Sequence, residues 1–184
     1  EILDAVSEGE AAGAVDEDEK EMIESVLELD QRAVSAIMTP RTDLVAIEVH
    51  ADLPALLEAI RRAGHSRIPV FEENIDNIVG FVYAKDLLTL IGKDPSEFRL
   101  REHMREAYFV PESKPLRALL HEFQNQKLHI AVVLDEYGGT AGVVTLEDIL
   151  EELVGEITDE YEQTPPASIK KVDDNTIEVD ARTY

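Results

Sequence analysis

Two residues with useful chemistry stand three positions apart, where a run of apolar residues gives way to acidic ones. Thr145 and Asp148 lie within the stretch GVVTLEDILEEL, which reads as a buried strand followed by an acidic helix. One use of this pair is structural, because Thr-x-x-Asp resembles a capping box and such a cap contributes about 1 kcal/mol. The other use is ligand binding, because the amides at a helix start attract phosphate and a nearby acid accepts ribose hydroxyls. Taken alone, these two residues favour the cap.

The elements that must position this pair occur twice along the chain. Each copy has the order strand, helix, strand, strand, helix, and GFVYAKDLL from Gly80 matches GVVTLEDIL from Gly142 at the glycine, the central valine, the aspartate and the apolar helix positions. The interval from Pro69 to Gly80 also equals the interval from Ala131 to Gly142. A period of about 62 to 66 residues predicts two copies of one β–α–β–β–α unit, each too small to bury its sheet alone.

The predicted fold is therefore α+β, with tandem β–α–β–β–α repeats packed as a pseudo-two-fold pair. Asp16 should cap a leader helix, with Glu19 completing a capping box, and residues 1–15 before it should be frayed. Ser113 should cap the first helix of the second repeat. The predicted division of the chain is 1–34 as an acidic leader with its N-terminal helix, 35–100 as the first repeat, 101–160 as the second repeat, and 161–184 as a linker and a truncated C-terminal strand segment that starts a further domain.

The composition limits the kinds of partner that this protein can have. It carries 17 basic and 40 acidic residues, for a formal net charge of −23, and this charge excludes non-specific binding to nucleic acids or anionic lipid surfaces. An anionic ligand must be held by local devices, such as a helix N-terminus, an arginine or a metal ion that travels with it. Because cysteine is absent and the five histidines lack zinc-like spacing, no metal site formed by the protein alone is expected.

Four stretches of the sequence closely resemble a known family. MTPRTDLV, GHSRIPVF, DEYGGTAGVVTLEDILEELVGEI and the leader DEKEMIESVLEL resemble the cytosolic region of the CorC/HlyC family, which comprises bacterial magnesium and cobalt efflux, or hemolysin-like, proteins related to animal CNNM magnesium transporters. The repeats, ending in Gly-x-x-Thr-x-x-Asp, resemble a CBS-domain pair, or Bateman module. The resemblance covers 16–160, and the tail is weakly similar to the start of the family's transporter-associated domain.

This resemblance implies that an adenosine nucleotide, ATP or AMP, binds at the start of the last acidic helix. In the family the threonine of this motif faces phosphate and the aspartate faces ribose, which assigns those roles to Thr145 and Asp148. Mg²⁺ should accompany ATP, since so acidic a protein repels a bare triphosphate. The first repeat should complete the site, and the full implied set is Thr39, His65, Ser66, Arg67, Ile68, Pro69, Thr145, Glu147 and Asp148.

Three of these residues also have plainer roles. Arg67 can meet a phosphate with a forked donor, but an arbitrary arginine in so acidic a chain more often forms a surface ion pair. His65 can stack on adenine, or it can be an exposed histidine at a helix end. Ile68 can belong to the core.

The equivalent site in the other half of the pair is predicted to be empty or weak. Asp86 matches Asp148 there, with His129 and Ile130 as further candidates, but Tyr83 stands where threonine or serine is expected. A phenol is too bulky to repeat the role of the hydroxyl and can fill the pocket. The second repeat also has HMREAY in place of the Met-Thr-Pro loop, so one occupied site is expected.

These features predict a cytosolic regulatory module that binds Mg-ATP and controls a membrane magnesium or cobalt efflux protein. Its expected partners are the nucleotide, a second copy in a flat homodimer and the membrane domain of the same chain, at the cytoplasmic face of the membrane; no nucleic acid is expected. The chain as given should be soluble, because no apolar run approaches the length of a membrane span. The alternative is a ligand-free dimerisation scaffold, in which Thr145 only caps. An enzyme ranks last, because the sequence shows no activated nucleophile or Walker-type loop and no catalytic residue is assigned.

Overall fold

The N-terminal leader forms two helices. The computed structural model describes residues 2–92 and 94–155, together with the backbone of residues 169–173 and 176–179. Helix α1 spans Ile2–Ala11 and helix α2 spans Glu17–Glu28. Asp16 accepts the N–H of Glu19 at 2.8 Å and Glu19 accepts the N–H of Asp16 at 3.0 Å, which confirms the predicted capping box.

The expectation that residues 1–15 are frayed is wrong for the segment that forms α1. This helix buries no residue of its own, but Lys20 of α2 donates to Glu10 of α1 at 2.7 Å. The small and acidic residues of this stretch did not indicate a helix. In the structure the stretch is helical and contacts α2.

Each repeat contains the predicted order of strand, helix, strand, strand and helical segment, and one further short strand, which was not predicted, precedes it. In the first repeat the elements are β1 (Thr39–Pro40), β2 (Ile47–Glu48), α3 (Leu53–Ala63), β3 (Arg67–Glu72), β4 (Asn74–Tyr83) and a 3₁₀ segment at Ala84–Leu90. In the second repeat they are β5 (Met104–Glu106), β6 (Phe109–Pro111), α4 (Leu116–Gln126), β7 (Ile130–Leu134), β8 (Thr140–Thr145) and α5 (Leu146–Val154).

The two repeats exchange their first strands. One sheet has the order β2-β3-β4-β5, and the other has the order β1-β8-β7-β6. Strand β5 of the second repeat therefore forms an edge of the first sheet, with Glu106 opposite Gly80. Strand β1 of the first repeat forms the corresponding edge of the second sheet, with Pro40 opposite Gly142. This reciprocal exchange confirms the predicted pseudo-two-fold pair.

The exchange requires glycine at both crossing points. A Cβ atom on Gly142 would collide with the carbonyl oxygen of Thr39, and one on Gly80 would lie 2.5 Å from the carbonyl oxygen of Arg105. Real Cβ atoms do not approach a backbone oxygen so closely, since the overlap is strongly repulsive. The two glycines that align in the sequence are thus positions where the exchanged strands leave no room for a side chain.

Three groups of buried apolar residues hold the pair together. The first repeat has its own core around Leu56 of α3, and the second repeat has a core around Phe123 of α4. A third group joins the faces of the two sheets, because Ile78 and Phe81 of β4 pack with residues of β7 and β8. Its fully or nearly buried members are Ile78, Phe81, Ile130, Val132 and Val143.

The predicted cap at Ser113 is wrong. Pro115 occupies the N-cap position of α4 and makes no side-chain cap, and the N–H of Leu116 donates to the carbonyl of Arg32 at 3.0 Å. The segment that leads into β1 also buries Val34 completely in the core of the second repeat. A distant backbone carbonyl thus satisfies a helix-start donor that a neighbouring side chain usually satisfies.

The alignment of the two repeats by equal intervals is off by one residue. Val70 faces the glycine of the first hairpin and Val133 faces the glycine of the second, so Pro69 corresponds to Val132 and not to Ala131. The paired residues Val70 and Gly80 are 10 positions apart, whereas Val133 and Gly142 are 9 positions apart. Counting along the chain cannot detect this difference, because it does not show where pairing begins.

The tail contains the two predicted strands. Strands β9 (Ile169–Asp173) and β10 (Thr176–Val179) pair antiparallel. The predicted linker before them lies outside the described residues. Within the residues that the structure does describe, no helix combines the length and the hydropathy needed to cross a bilayer.

Replacing Gly142 with alanine should disrupt the exchange of strands. We expect Gly142→Ala to lower the free energy of unfolding by about 1–3 kcal/mol in urea denaturation, because the new Cβ displaces Thr39. Gly138→Ala is the control, since Gly138 has a φ of 82° and nothing within 4 Å of its Cβ position, and so reports backbone strain alone. A Gly142→Ala protein as stable as the wild type would contradict the need for close approach.

Candidate functional site

Helix α5 begins with the predicted capping box. The hydroxyl of Thr145 accepts the N–H of Asp148 at 3.1 Å, and Oδ2 of Asp148 accepts the N–H of Thr145 at 2.7 Å. Both residues are partly exposed, so neither is sealed inside the protein. The structural use of this pair is therefore confirmed, and the cap employs only one of the two carboxylate oxygens of Asp148.

The same pair lines a cleft between the repeats. The cleft has a volume of about 350 Å³, within the range of small-molecule sites. It brings together residues that are distant in the sequence, from the end of α3, the start of β3 and the start of α5. The predicted residues in its lining are Thr39, His65, Ser66, Arg67, Pro69, Thr145, Glu147 and Asp148.

Local structure explains how the first repeat reaches this cleft. Asp52 caps α3 at its start, and Gly64 ends the helix in the left-handed conformation with a φ of 67°. Glycine adopts this φ at little cost, so the chain turns sharply there and presents His65 and Ser66 before β3 begins. The pairing of β1 with β8 places Thr39 opposite Val143, two residues before the capping threonine.

Arg67 joins the two walls of the cleft. Its Nη1 donates to Oε1 of Glu147 at 3.0 Å, and only 21% of its side chain is exposed. The Nε of Arg67 is buried and has no hydrogen-bond partner among the described residues, although an unpaired buried donor is costly. The ion pair predicted as its plainer role is present, but it lies inside the cleft and leaves one donor of the guanidinium group unsatisfied.

The cleft is more acidic than the predicted residue set suggests. Asp43 lines it beside Glu147 and Asp148, so three carboxylates share the space with the single guanidinium of Arg67 among the residues described there. Four further residues form an apolar wall of the cleft: Leu44, Val45, Ile130 and Val143. Prediction from sequence missed Asp43, Leu44, Val45 and Val143, and it assigned Ile130 to the other half-site. Asp43 lies three residues after the Met-Thr-Pro loop, and Thr39 of that loop was predicted for the site. This proximity in the sequence was the signal that could have identified Asp43.

Two predicted residues lie elsewhere than expected. The side chain of Ile68 is completely buried in the core of the first repeat and does not line the cleft, in agreement with its plainer role. Ile130 was predicted for the second half of the pair, but it lines this cleft. Alternation along a strand explains Ile68, because neighbouring residues of β3 point to opposite faces.

The other half of the pair is arranged differently. Asp86 accepts hydrogen bonds from Arg105 instead of completing a capping box, and Tyr83 makes no side-chain cap at the start of the 3₁₀ segment. His129, a further candidate there, offers its carbonyl to the N–H of Leu146 at 3.0 Å, at the start of α5. The carboxylate that matches Asp148 is thus engaged by a side chain of the protein.

A larger cavity of about 890 Å³ lies between the start of α3 and residues 95–102. Its lining lacks every residue of the Gly-x-x-Thr-x-x-Asp motif. Asp52 there accepts the N–H of Ala55 at 2.9 Å, and Arg101 pairs with Glu72. Because Thr145 and Asp148 of that motif line the smaller cleft, we assign the functional site to the smaller cleft. Within 2–92 and 94–155, no group of three or more His, Cys, Asp or Glu residues is placed to hold a metal ion.

Comparison with protein families gives a match over both repeats. The family model described as CBS domain matches residues 34–93 and 100–155. A protein named magnesium and cobalt efflux protein CorC, from Vibrio cholerae serotype O1, is 40% identical over 183 residues that cover 100% of this chain and 63% of the relative. The chain therefore spans less than two thirds of the length of that relative.

Solved structures with the same architecture include two with bound nucleotides. The CBS domain of the bacterial CNNM/CorC family Mg²⁺ transporter in complex with ATP is 49% identical, with a TM-score of 0.73 over 76% of this chain and 99% of the other. A CBS-domain pair with bound AMP from Klebsiella pneumoniae is 35% identical, with a TM-score of 0.59 over 67% of this chain and 98% of the other.

Thr145→Ala should destabilise the protein even when no ligand is present. Loss of the hydroxyl leaves the N–H of Asp148 without its acceptor, and we expect the free energy of unfolding to fall by about 1 kcal/mol. Thr145→Ser is the matched control, since serine keeps the acceptor and should retain most of the stability. Urea denaturation measures both, and equal stability of the alanine variant and the wild type would contradict a capping role.

Proposed function

The chain belongs to the CBS-domain family as a tandem pair of CBS domains, and on that premise we propose that the cleft between its repeats binds one adenosine nucleotide. The observation that carries the proposal is the meeting of Thr145 and Asp148 with Arg67, which come from different repeats and line one cleft. A hydroxyl, a carboxylate and a guanidinium are the groups that a ribose phosphate needs. The ATP and AMP complexes of similar CBS domains support the same ligand class.

Each part of the cleft suits one part of the nucleotide. We assign the phosphate to Arg67 and to the start of α5, where Thr145 and the helix amides lie. We assign the ribose to Asp148, since the cap uses only one of its carboxylate oxygens. The apolar wall of Leu44, Val45, Ile130 and Val143 suits a purine. Four further lining residues lie at its margin: Thr39, His65, Ser66 and Pro69.

Charge favours Mg-ATP over ATP alone. Asp43, Glu147 and Asp148 would repel a triphosphate in a chain whose net charge is already −23. A Mg²⁺ ion bound to the phosphates lowers that repulsion, because it neutralises part of their charge before they enter the cleft. AMP carries less charge and needs no such help, so the two nucleotides should differ in their dependence on Mg²⁺.

The wider role that we propose is regulation of a transporter. The relative named as a magnesium and cobalt efflux protein is longer than this chain, and the Mg²⁺ transporter whose CBS domain has been solved with ATP is also similar. CBS domains and transporter relatives indicate regulation or transport rather than catalysis. We infer that nucleotide binding here controls a membrane domain that moves magnesium or cobalt ions, with the CBS pair at the cytoplasmic face.

A second role, as a ligand-free dimerisation scaffold, is favoured by one observation. Apolar side chains remain exposed on α2 and α5, including Val26 at 52%, Leu150 at 44% and Val154 at 45%. A second copy of the module could cover such a surface. Both roles involve a homodimer, and they differ in whether the cleft takes a nucleotide.

Asp148→Ala tests the nucleotide site. Calorimetric titration with ATP and Mg²⁺ should give binding for the wild type and at least a tenfold weaker affinity for the variant, which loses a ribose acceptor worth about 1.4 kcal/mol or more. Asp16→Ala is the matched control, because it removes an acidic capping residue from α2 without touching the cleft. Undiminished affinity in Asp148→Ala would refute the site, and absence of any adenine-nucleotide binding by a dimeric wild type would favour the scaffold.

Glu147→Gln tests the origin of the Mg²⁺ dependence. Glu147 holds Arg67 at 3.0 Å and adds negative charge, so its neutral amide should release the guanidinium group to phosphate. We expect ATP without Mg²⁺ to bind about tenfold tighter to this variant, while Mg-ATP changes much less. Glu151→Gln carries the same charge change on the same helix outside the cleft lining. An equal gain of affinity in both variants would point to net charge, and would refute a local effect of Glu147.

A further inference from the structure

Because the repeats exchange strands, Arg105 occupies the position beside Asp86 that Thr39 occupies in the cleft beside Asp148. Thr39 lies opposite Val143, the residue after Gly142. Arg105 lies opposite Phe81, the residue after the equivalent glycine. The two positions are therefore related by the pseudo-two-fold symmetry, but one carries a short hydroxyl side chain and the other carries a long cationic one.

Arg105 binds both groups that mark this second half-site. Its Nε and Nη2 donate to Oδ2 of Asp86 at 3.0 and 2.6 Å. Its guanidinium carbon lies 4.3 Å from the centroid of the Tyr83 ring, within the range of a cation–π contact. Arg67 and Lys85 lie farther from the same ring, at 5.8 and 5.9 Å. The guanidinium group of Arg105 thus contacts the Asp86 carboxylate and the Tyr83 ring at the same time.

These contacts go beyond an ordinary surface ion pair. Arg101 pairs with Glu72 and is as exposed as Arg105, at 54% of its side chain in both cases. The structure describes a ring contact for Arg105 and none for Arg101. The difference is the ring of Tyr83, at the very position where the nucleotide cleft has the threonine of its capping box. Tyr83, which replaces the threonine of the Thr-x-x-Asp pattern in the first repeat, therefore supplies an aromatic ring that can bind a cation.

We propose that the second half-site is a guanidinium-binding site, formed by Tyr83 and Asp86, whose resident occupant is Arg105 of the same chain. It recognises a planar cation through the face of the ring and the carboxylate, and it is not a second adenosine site. Since Arg105 lies on β5, its binding also fastens the exchanged strand to the first sheet. This inference does not rest on nucleotide binding in the other cleft.

Chemical rescue tests the proposal. Arg105→Ala removes the guanidinium group together with two methylene carbons, and N-ethylguanidinium restores those atoms without a covalent link. We expect the melting temperature of Arg105→Ala to fall by about 2–4 °C, and millimolar N-ethylguanidinium to recover at least half of that loss after subtraction of its effect on the wild type. Because the side chain of Arg105 is 54% exposed, its truncation leaves the core intact.

Two control variants and one titration decide the outcome. Arg101→Ala, which loses an equally exposed ion pair, should not be rescued, and the double variant Arg105→Ala/Asp86→Asn should lose the rescue. Equal shifts in Arg101→Ala and Arg105→Ala, or no shift in Arg105→Ala, would overturn the proposal. Binding of a second equivalent of ATP per chain by Arg105→Ala, measured by calorimetry, would also overturn it, since the half-site would then be an obstructed nucleotide site.

Discussion

The two repeats can exchange strands only because their backbones approach each other closely at Gly142 and Gly80. At these two points a strand from one repeat enters the sheet of the other, and a side chain of any size would block it. The exchange covers the edge of each half-sheet with a strand from its partner. Neither repeat is complete alone, and the space between them becomes a fixed part of the fold.

One backbone arrangement therefore supports two kinds of chemistry. Where β1 enters the second sheet, Thr39 is short, and a cleft remains between Arg67 and the start of α5. Where β5 enters the first sheet, Arg105 is long enough to reach Asp86 and the face of Tyr83. The pseudo-symmetry of the backbone is preserved, and the difference between the half-sites comes from side-chain length and charge.

Capping and ligand binding do not exclude each other at the start of α5. The capping box holds the Asp148 carboxylate by one oxygen and fixes its direction without a ligand. Preorganisation of this kind lowers the cost of binding, because the group does not have to be ordered when a ligand arrives. Arg67 is held less completely, since one of its N–H groups donates to Glu147 while its buried Nε has no partner among the residues that the structure describes.

Features that depend on neighbouring residues in the chain could be predicted from the amino-acid sequence. The two repeats and the capping boxes at Asp16 and Thr145 follow from periodicity and short motifs, in which the interacting groups lie within about one helical turn. Most of the cleft residues were implied by the resemblance to the CorC/HlyC family. Contacts between segments that are distant in the sequence became known only from the folded protein. At the start of α4, the N–H of Leu116 donates to the carbonyl of Arg32, and Ser113 is not the cap. Ile130 lines the cleft that contains Thr145, and Arg105 donates to Asp86. These contacts join residues far apart in the chain, and the distance between such residues is set by strand pairing and packing, which no local pattern records.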